Sequence, residues 1–125
     1  MLAAAEPQLF TTDFARSVAF YQRIGFALVF AYGDPPFYGQ VARDGARLNL
    51  RHVDRPVIDD TVRQAEDLVA ATLPVDSAEA IESLFREFHA AAIPVHQKLR
   101  IEPWGSRTFI IRDPDGNLLL FAGPA

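Results

Sequence analysis

The chain has 125 residues, no cysteine, nine prolines and half of its residues in the hydrophobic class, which is enough for one domain with a single core and too few for two ordinary ones. Without cysteine there is no thiol nucleophile, thiolate zinc site or iron–sulfur cluster, and a core of this size needs no disulfide staple. Twelve Lys and Arg against sixteen Asp and Glu leave a net charge of −4, a poor match to nucleic acid and a bias toward a cationic ligand.

No apolar run approaches the roughly 18 residues of a membrane span, and Met1 to Ala5 lacks the cationic start and long apolar stretch of a signal peptide. The expected compartment is the cytoplasm, with no membrane partner.

In chain order, Asp13 stands before Phe14 to Ile24, where Phe14, Val18 and Tyr21, with Phe20 beside them, recur at helical spacing; Gly25 ends that helix. Phe26 to Tyr32, Phe37 to Arg43 and Ala46 to Val53 are β-prone runs, the last two joined by Asp44-Gly45. Asp54 to Asp67, with Pro56 and Asp59-Asp60, reads as a solvated acidic connector. Leu68 to Val75 is again β-prone. Asp76 then precedes a helix over Ser77 to Ala92, with Glu79 at capping-box spacing and Ile81, Leu84, Phe85 and Phe88 as its apolar stripe. Pro94 closes it. Ser106 to Arg112 and Asn117 to Phe121 flank the turn Asp113-Pro-Asp-Gly116, which accounts for both aspartates without a catalytic role.

Each half runs strand, helix, hairpin, and each hairpin carries an Arg-Asp turn closed by glycine. Aligning Gly45 with Gly116 sets Leu48, Asn49 and Leu50 opposite Leu119, Leu120 and Phe121. The chain therefore reads as one βαβββ unit written twice.

With Asp44-Gly45 as a two-residue type I′ turn, Arg43 pairs with Ala46, Ala42 with Arg47, Val41 with Leu48, Gln40 with Asn49, Gly39 with Leu50 and Tyr38 with Arg51. Directly paired residues share a face. Val41, Leu48, Gly39 and Leu50 need a helix over them, while Tyr38, Gln40, Ala42, Arg47, Asn49 and Arg51 form a polar face with one aromatic ring. Such a face is a solvated surface or the wall of a ligand cleft. Phe30 and Tyr32 share one face of the second strand with Phe26 and Leu28, either core or cleft. In the second half, alternation from Leu120 gives Phe109 and Ile111 the pocket phase and leaves Trp104 out of it, unless Gly105 marks a bulge.

The helix Asp13-Phe-Ala-Arg-Ser-Val-Ala-Phe-Tyr21, Gly25-Phe26 and the late Asp113-Pro-Asp-Gly-Asn-Leu-Leu-Leu120 together resemble the vicinal oxygen chelate superfamily of glyoxalases, bleomycin-resistance proteins and extradiol dioxygenases. The resemblance covers essentially the whole chain. It implies an α+β fold in which two βαβββ modules form a curled mixed sheet around a cleft, helices outside, within one domain over 1–125: module one about 4–54, a connector about 55–66, module two about 67–123. Pro103-Trp-Gly-Ser-Arg-Thr-Phe-Ile-Ile-Arg-Asp-Pro-Asp-Gly-Asn117 and Phe37-Tyr-Gly-Gln-Val-Ala-Arg-Asp-Gly45 look most like the bleomycin-resistance branch, which places a ligand-stacking aromatic at Tyr38.

Enzymes of this superfamily hold a divalent metal through four strand positions. By resemblance these fall on Glu6, Asn49, about Ala70 and Leu120, one carboxylate, one amide and two aliphatic residues, where a transition metal takes three or more protein ligands. His52, His89 and His96 show no close ligand pairing. No catalytic residue, metal or other cofactor is therefore expected. The resemblance implies instead a homodimeric binding protein that sequesters a small, flat, partly cationic molecule, with bleomycin-type antibiotics as the implied class. Tyr38 and Trp104 would stack on it, with Phe30 or Tyr32 in reserve, and Gln40, Arg47, Asn49 and Arg51 would orient it. The alternative is a metal-dependent glyoxalase-like lyase or dioxygenase using Glu6 and a histidine.

Overall fold

The computed structural model describes residues 1–125, which divide into two compact units, Met1–Ile58 and Asp59–Ala125. Each unit is built around a βαβββ module. No helix is long and apolar enough to cross a membrane.

The first unit holds β1 (Gln8–Thr11), α1 (Phe14–Arg23), β2 (Ala27–Gly33), β3 (Pro36–Arg43) and β4 (Ala46–His52). Its open sheet has the order β1-β4-β3-β2, with β1 parallel to β4 and the other pairs antiparallel. The side chain of Asp13 caps α1 by accepting from the Arg16 backbone N–H at 3.1 Å. Phe14, Phe20, Tyr21 and Ile24 are buried, as are Leu9, Val41, Leu48 and Leu50 of the sheet. Gly39 belongs to this covered face because only hydrogen fits. A Cβ there would lie 2.6 Å from the Phe30 carbonyl oxygen and 2.8 Å from Phe14 Cζ.

The second unit holds α2 (Asp60–Ala65), β5 (Val69–Pro74), α3 (Ala78–Ala90), β6 (Val95–Ile101), β7 (Ser106–Arg112) and β8 (Leu118–Pro124), in the sheet order β5-β8-β7-β6. Its core is aromatic. Phe109 and Phe121 stack with centroids 5.0 Å apart, and Phe88 of α3 meets Phe121 edge-on at 5.5 Å.

Four readings are corrected here. The run Asp54 to Asp67 is not all connector, because Asp59 accepts from the backbone N–H groups of Thr61 and Val62 and so starts α2. Arg63 of that helix is buried, and it donates to the Asp115 carbonyl at 2.7 Å and to the Asp60 carboxylate at 3.0 Å, clamping the Asp-Pro-Asp-Gly turn. The Arg63 guanidinium beside Asp60 in turn holds that carboxyl below its ordinary range. The cap of α3 is Ser77, whose hydroxyl accepts from Ala80 N–H at 3.0 Å. Glu79 is therefore one position short of a capping box. β6 was not among the predicted strands, its Val-His-Gln-Lys-Leu-Arg-Ile sequence having no clean alternation. Finally, Phe109 and Ile111 pair with Phe121 and Leu119 on the face that α3 covers, so Thr108 and Ile110 hold the opposite phase.

Candidate functional site

The β3–β4 register is Arg43–Ala46, Ala42–Arg47, Val41–Leu48, Gln40–Asn49, Gly39–Leu50 and Tyr38–Arg51, as the Asp-Gly turn dictates. The turn itself differs from type I′, since the left-handed φ of 51° falls on Asp44 and not on Gly45. A two-residue loop fixes register in either form. Tyr38, Gln40, Arg47, Asn49 and Arg51 consequently lie on the sheet face opposite α1.

β1 and β2 extend that face. Gln8 pairs with Asn49 and Phe10 with Arg51. On β2, Leu28 pairs with Val41 but Phe30 pairs with Gln40, the extra residue Val29 forming an irregularity between them. That one-residue slip moves Phe30 and Tyr32 to the polar face, while Phe26 stays buried in the core. Phe30 and Tyr38 then lie 5.9 Å apart, tilted by 48°.

A chain of hydrogen bonds runs across the face. Arg47 donates to Gln40 Oε1 at 2.9 Å, Gln40 Nε2 donates to Asn49 Oδ1 at 2.9 Å, and both amides reach Glu6 Oε1, at 3.2 Å from Gln40 and 3.4 Å from Asn49. Gln40 and Asn49 are each only 6% exposed. Near-buried amides with both partners in place are rigid, because leaving either unpaired costs about 1–3 kcal/mol. Beside them Gln8, Phe10, Phe37, Tyr38 and Arg51 line an open pocket of about 380 Å³, and Gln8 Nε2 donates to the Tyr38 hydroxyl oxygen at 3.3 Å. Gln8 and Phe10 were not picked out from sequence, since a four-residue strand shows too little alternation to read.

The residues do not suit the divalent metal of the superfamily's enzymes. Glu6 already faces two amide N–H groups, Asn49 is engaged by Gln40, and the positions Ala70 and Leu120 carry no donor atom in their side chains. No three His, Cys, Asp or Glu side chains come together. His52 pairs with Asp54 at 3.4 Å and His96 with Asp67 at 2.7 Å, while His89 lies against Phe85.

Trp104 belongs to the second unit, in the turn between β6 and β7, and is 73% exposed. Near it lies a polar cluster that sequence did not suggest. The buried Glu102 accepts from Arg100 Nε at 2.6 Å and from the Thr108 hydroxyl at 2.8 Å, and Gln97 donates to that hydroxyl at 3.0 Å. The Arg100 and Thr108 hydrogen bonds hold the Glu102 carboxyl below its ordinary range.

Two βαβββ modules in one chain, each with an open mixed sheet and a helix on one face, define a paired-module α+β class. The chain belongs to the Glyoxalase/Bleomycin resistance protein/Dioxygenase superfamily, whose family model matches residues 3–121. Among solved structures it is similar to a bleomycin-binding protein complexed with bleomycin, at 22% identity over 99% of this chain and 100% of that one, with a TM-score of 0.79. A glyoxalase/bleomycin resistance protein/dioxygenase from Alicyclobacillus acidocaldarius shares 19% identity over 98% and 91% of the two chains, with a TM-score of 0.78. A lactoylglutathione lyase from Agrobacterium tumefaciens shares 22% over 97% and 92%, with a TM-score of 0.73. At these identities the likeness shows the fold. No curated protein matches the chain.

Proposed function

We propose that this protein is a metal-free binding protein that holds a planar small molecule against the polar face of its first sheet without turning it over. The observation that carries the reading is the Arg47–Gln40–Asn49–Glu6 hydrogen-bond chain beside the Phe30–Tyr38 ring pair. Fixed polar groups next to aromatic rings orient and stack a ligand, and the amides occupy the carboxylate that a metal would need. Tyr38 is the principal stacking ring, with Phe30 and Tyr32 on the same face, and Trp104 is the stacking candidate of the second unit. Sequestration of bleomycin-type antibiotics is the specific form of this reading. A homodimer goes with it, supported by the edge strand β2, on which Leu28, Val29, Phe30 and Tyr32 are all exposed.

Calorimetry and thermal melting with bleomycin, with a panel of planar aromatic compounds and with a divalent metal panel, each with and without chelator, test it. A ligand at a hundred times its Kd adds about 2.7 kcal/mol to the native state. Stoichiometric, chelator-independent binding that weakens at least tenfold in Tyr38→Ala supports the reading. Tight Ni, Zn, Mn or Fe binding that switches on turnover overturns it. Binding of the aromatic panel without bleomycin removes the antibiotic and leaves the binding protein.

A further inference from the structure

The net charge of −4 is not evenly spread. The unit Met1–Ile58 has six arginines against five Asp and Glu, a net of +1, whereas Asp59–Ala125 has six cations against eleven carboxylates, a net of −5. The candidate face lies wholly in the first unit. A bias toward cationic ligands, argued from the whole chain, therefore does not apply where the ligand would sit.

The pocket sharpens this. None of its five lining residues is acidic, and one is a cation, Arg51. Arg51 is exposed and makes no ion pair with the chain, unlike Arg47, which is engaged by Gln40. Glu6, two residues before β1, accepts from two amide donors. The Tyr38 hydroxyl oxygen accepts from Gln8, which leaves its own O–H to donate outward. Both Arg51 and Tyr38 thus present donors to an occupant, and neither the guanidinium nor the remaining O–H can satisfy a cation. Phe10, Phe37 and the Tyr38 ring supply apolar walls, and about 380 Å³ has room for a bicyclic aromatic ring.

We infer that this pocket takes a planar aromatic molecule bearing an anionic group, a carboxylate or similar oxyanion, with the rings among Phe10, Phe37 and Tyr38 and the anion on the Arg51 guanidinium and the Tyr38 O–H. The fork of an arginine matches two oxyanion oxygens at once, which an ammonium or a neutral amide cannot offer in return. The inference rests on the proposed binding face and replaces its partly cationic, bleomycin-type occupant with an anionic one; Arg51 becomes the residue that sets specificity.

The test is calorimetric titration of the full chain with three isosteric probes, naphthoate, naphthamide and naphthylmethylammonium, at low and physiological salt. Naphthoate is expected to bind at least tenfold more tightly than naphthamide, and naphthylmethylammonium more weakly than either. The naphthoate advantage should shrink as salt rises, collapse in Arg51→Gln and return in part in Arg51→Lys. Naphthylmethylammonium binding as tightly as naphthoate, or an advantage that survives Arg51→Gln, overturns the anionic class. If naphthamide binds and naphthoate binds no better, this inference fails while the stacking site stands. If none of the three binds, this inference fails, whereas refuting the binding face itself requires that bleomycin and the aromatic panel fail to bind as well.

Discussion

All three helices end in the same hydrogen-bonded motif. After α1, Gly25 N–H reaches the Gln22 carbonyl and Phe26 N–H the Tyr21 carbonyl; after α2, Asp67 and Leu68 reach Gln64 and Arg63; after α3, Ala92 and Ile93 reach His89 and Phe88. The motif requires a left-handed residue just past the cap, and φ there is 87° at Gly25, 51° at Asp67 and 57° at Ala92. Only the first is glycine. Ala92 is exposed, and its side chain is a single methyl. Ala92→Gly therefore relieves a left-handed strain of about 1–2 kcal/mol and costs about 0.5–1 kcal/mol of extra unfolded-chain entropy. The net is a stabilisation of about 0.5–1 kcal/mol, or roughly 2–5 °C in melting temperature for a domain of this size. The mirror substitution, Gly25→Ala, adds the strain and also sets a Cβ 2.7 Å from Arg43 Nη1, whose guanidinium donates to the Ile24 carbonyl. That should cost about 1–3 kcal/mol. Urea denaturation with an unchanged m-value, alongside calorimetric melting, measures both. A lower melting temperature for Ala92→Gly would refute the assignment of strain to this position.

Gly39→Ala forces a methyl between the Phe30 carbonyl and the Phe14 ring and should destabilise by about 1–3 kcal/mol; a neutral result in denaturant melts would show that α1 sits further from β3. Glu102 has a depressed folded pKa, held by Arg100 and Thr108, so its contribution is present above its ordinary value of 4.5 and lost as pH falls through the lower folded value. Glu102→Gln should flatten the acid limb of the stability profile below pH 4.5, and an unaltered limb would remove Glu102 from it. Gln40→Ile alone leaves Asn49 Oδ1 without its donor and should cost about 1–3 kcal/mol, while Gln40→Ile with Asn49→Leu should fall within about 1 kcal/mol of the parent. Equal losses from the single and double variants, measured by urea melts, would show that the two amides are not coupled.

The parts legible in the sequence were those governed by local turn and cap chemistry. Asp44-Gly45 determines six residue pairs of β3 and β4 and so gathers Tyr38, Gln40, Arg47, Asn49 and Arg51 on one face. Phe30 and Tyr32 stayed ambiguous because the bulge at Val29 has no glycine or proline to announce it. α2 was hidden because two adjacent aspartates read as solvated charge, and only the fold puts Asp59 at a helix start with Arg63 clamping a distant turn. Trp104 shows the limit of alternation, which holds inside a strand and says nothing of a turn.

The two modules also show why fold was easier to read than function. Leu48 with Val41 in module one corresponds to Leu119 with Ile111 in module two, and all four are buried under a helix. The next slot on the other face holds Asn49 with Gln40 in one module and Leu120 with Ile110 in the other. The same backbone position thus accepts a coupled amide pair or an aliphatic pair. Helix-facing residues are tied to a packed partner and keep their chemistry across the repeat. Residues on the opposite face answer to whatever occupies it, and there the modules differ in polarity as their net charges do. A function argued from the chain-wide charge averages over that difference. The first module's own face is free of that averaging, and its Arg51 carries the anionic ligand class inferred above.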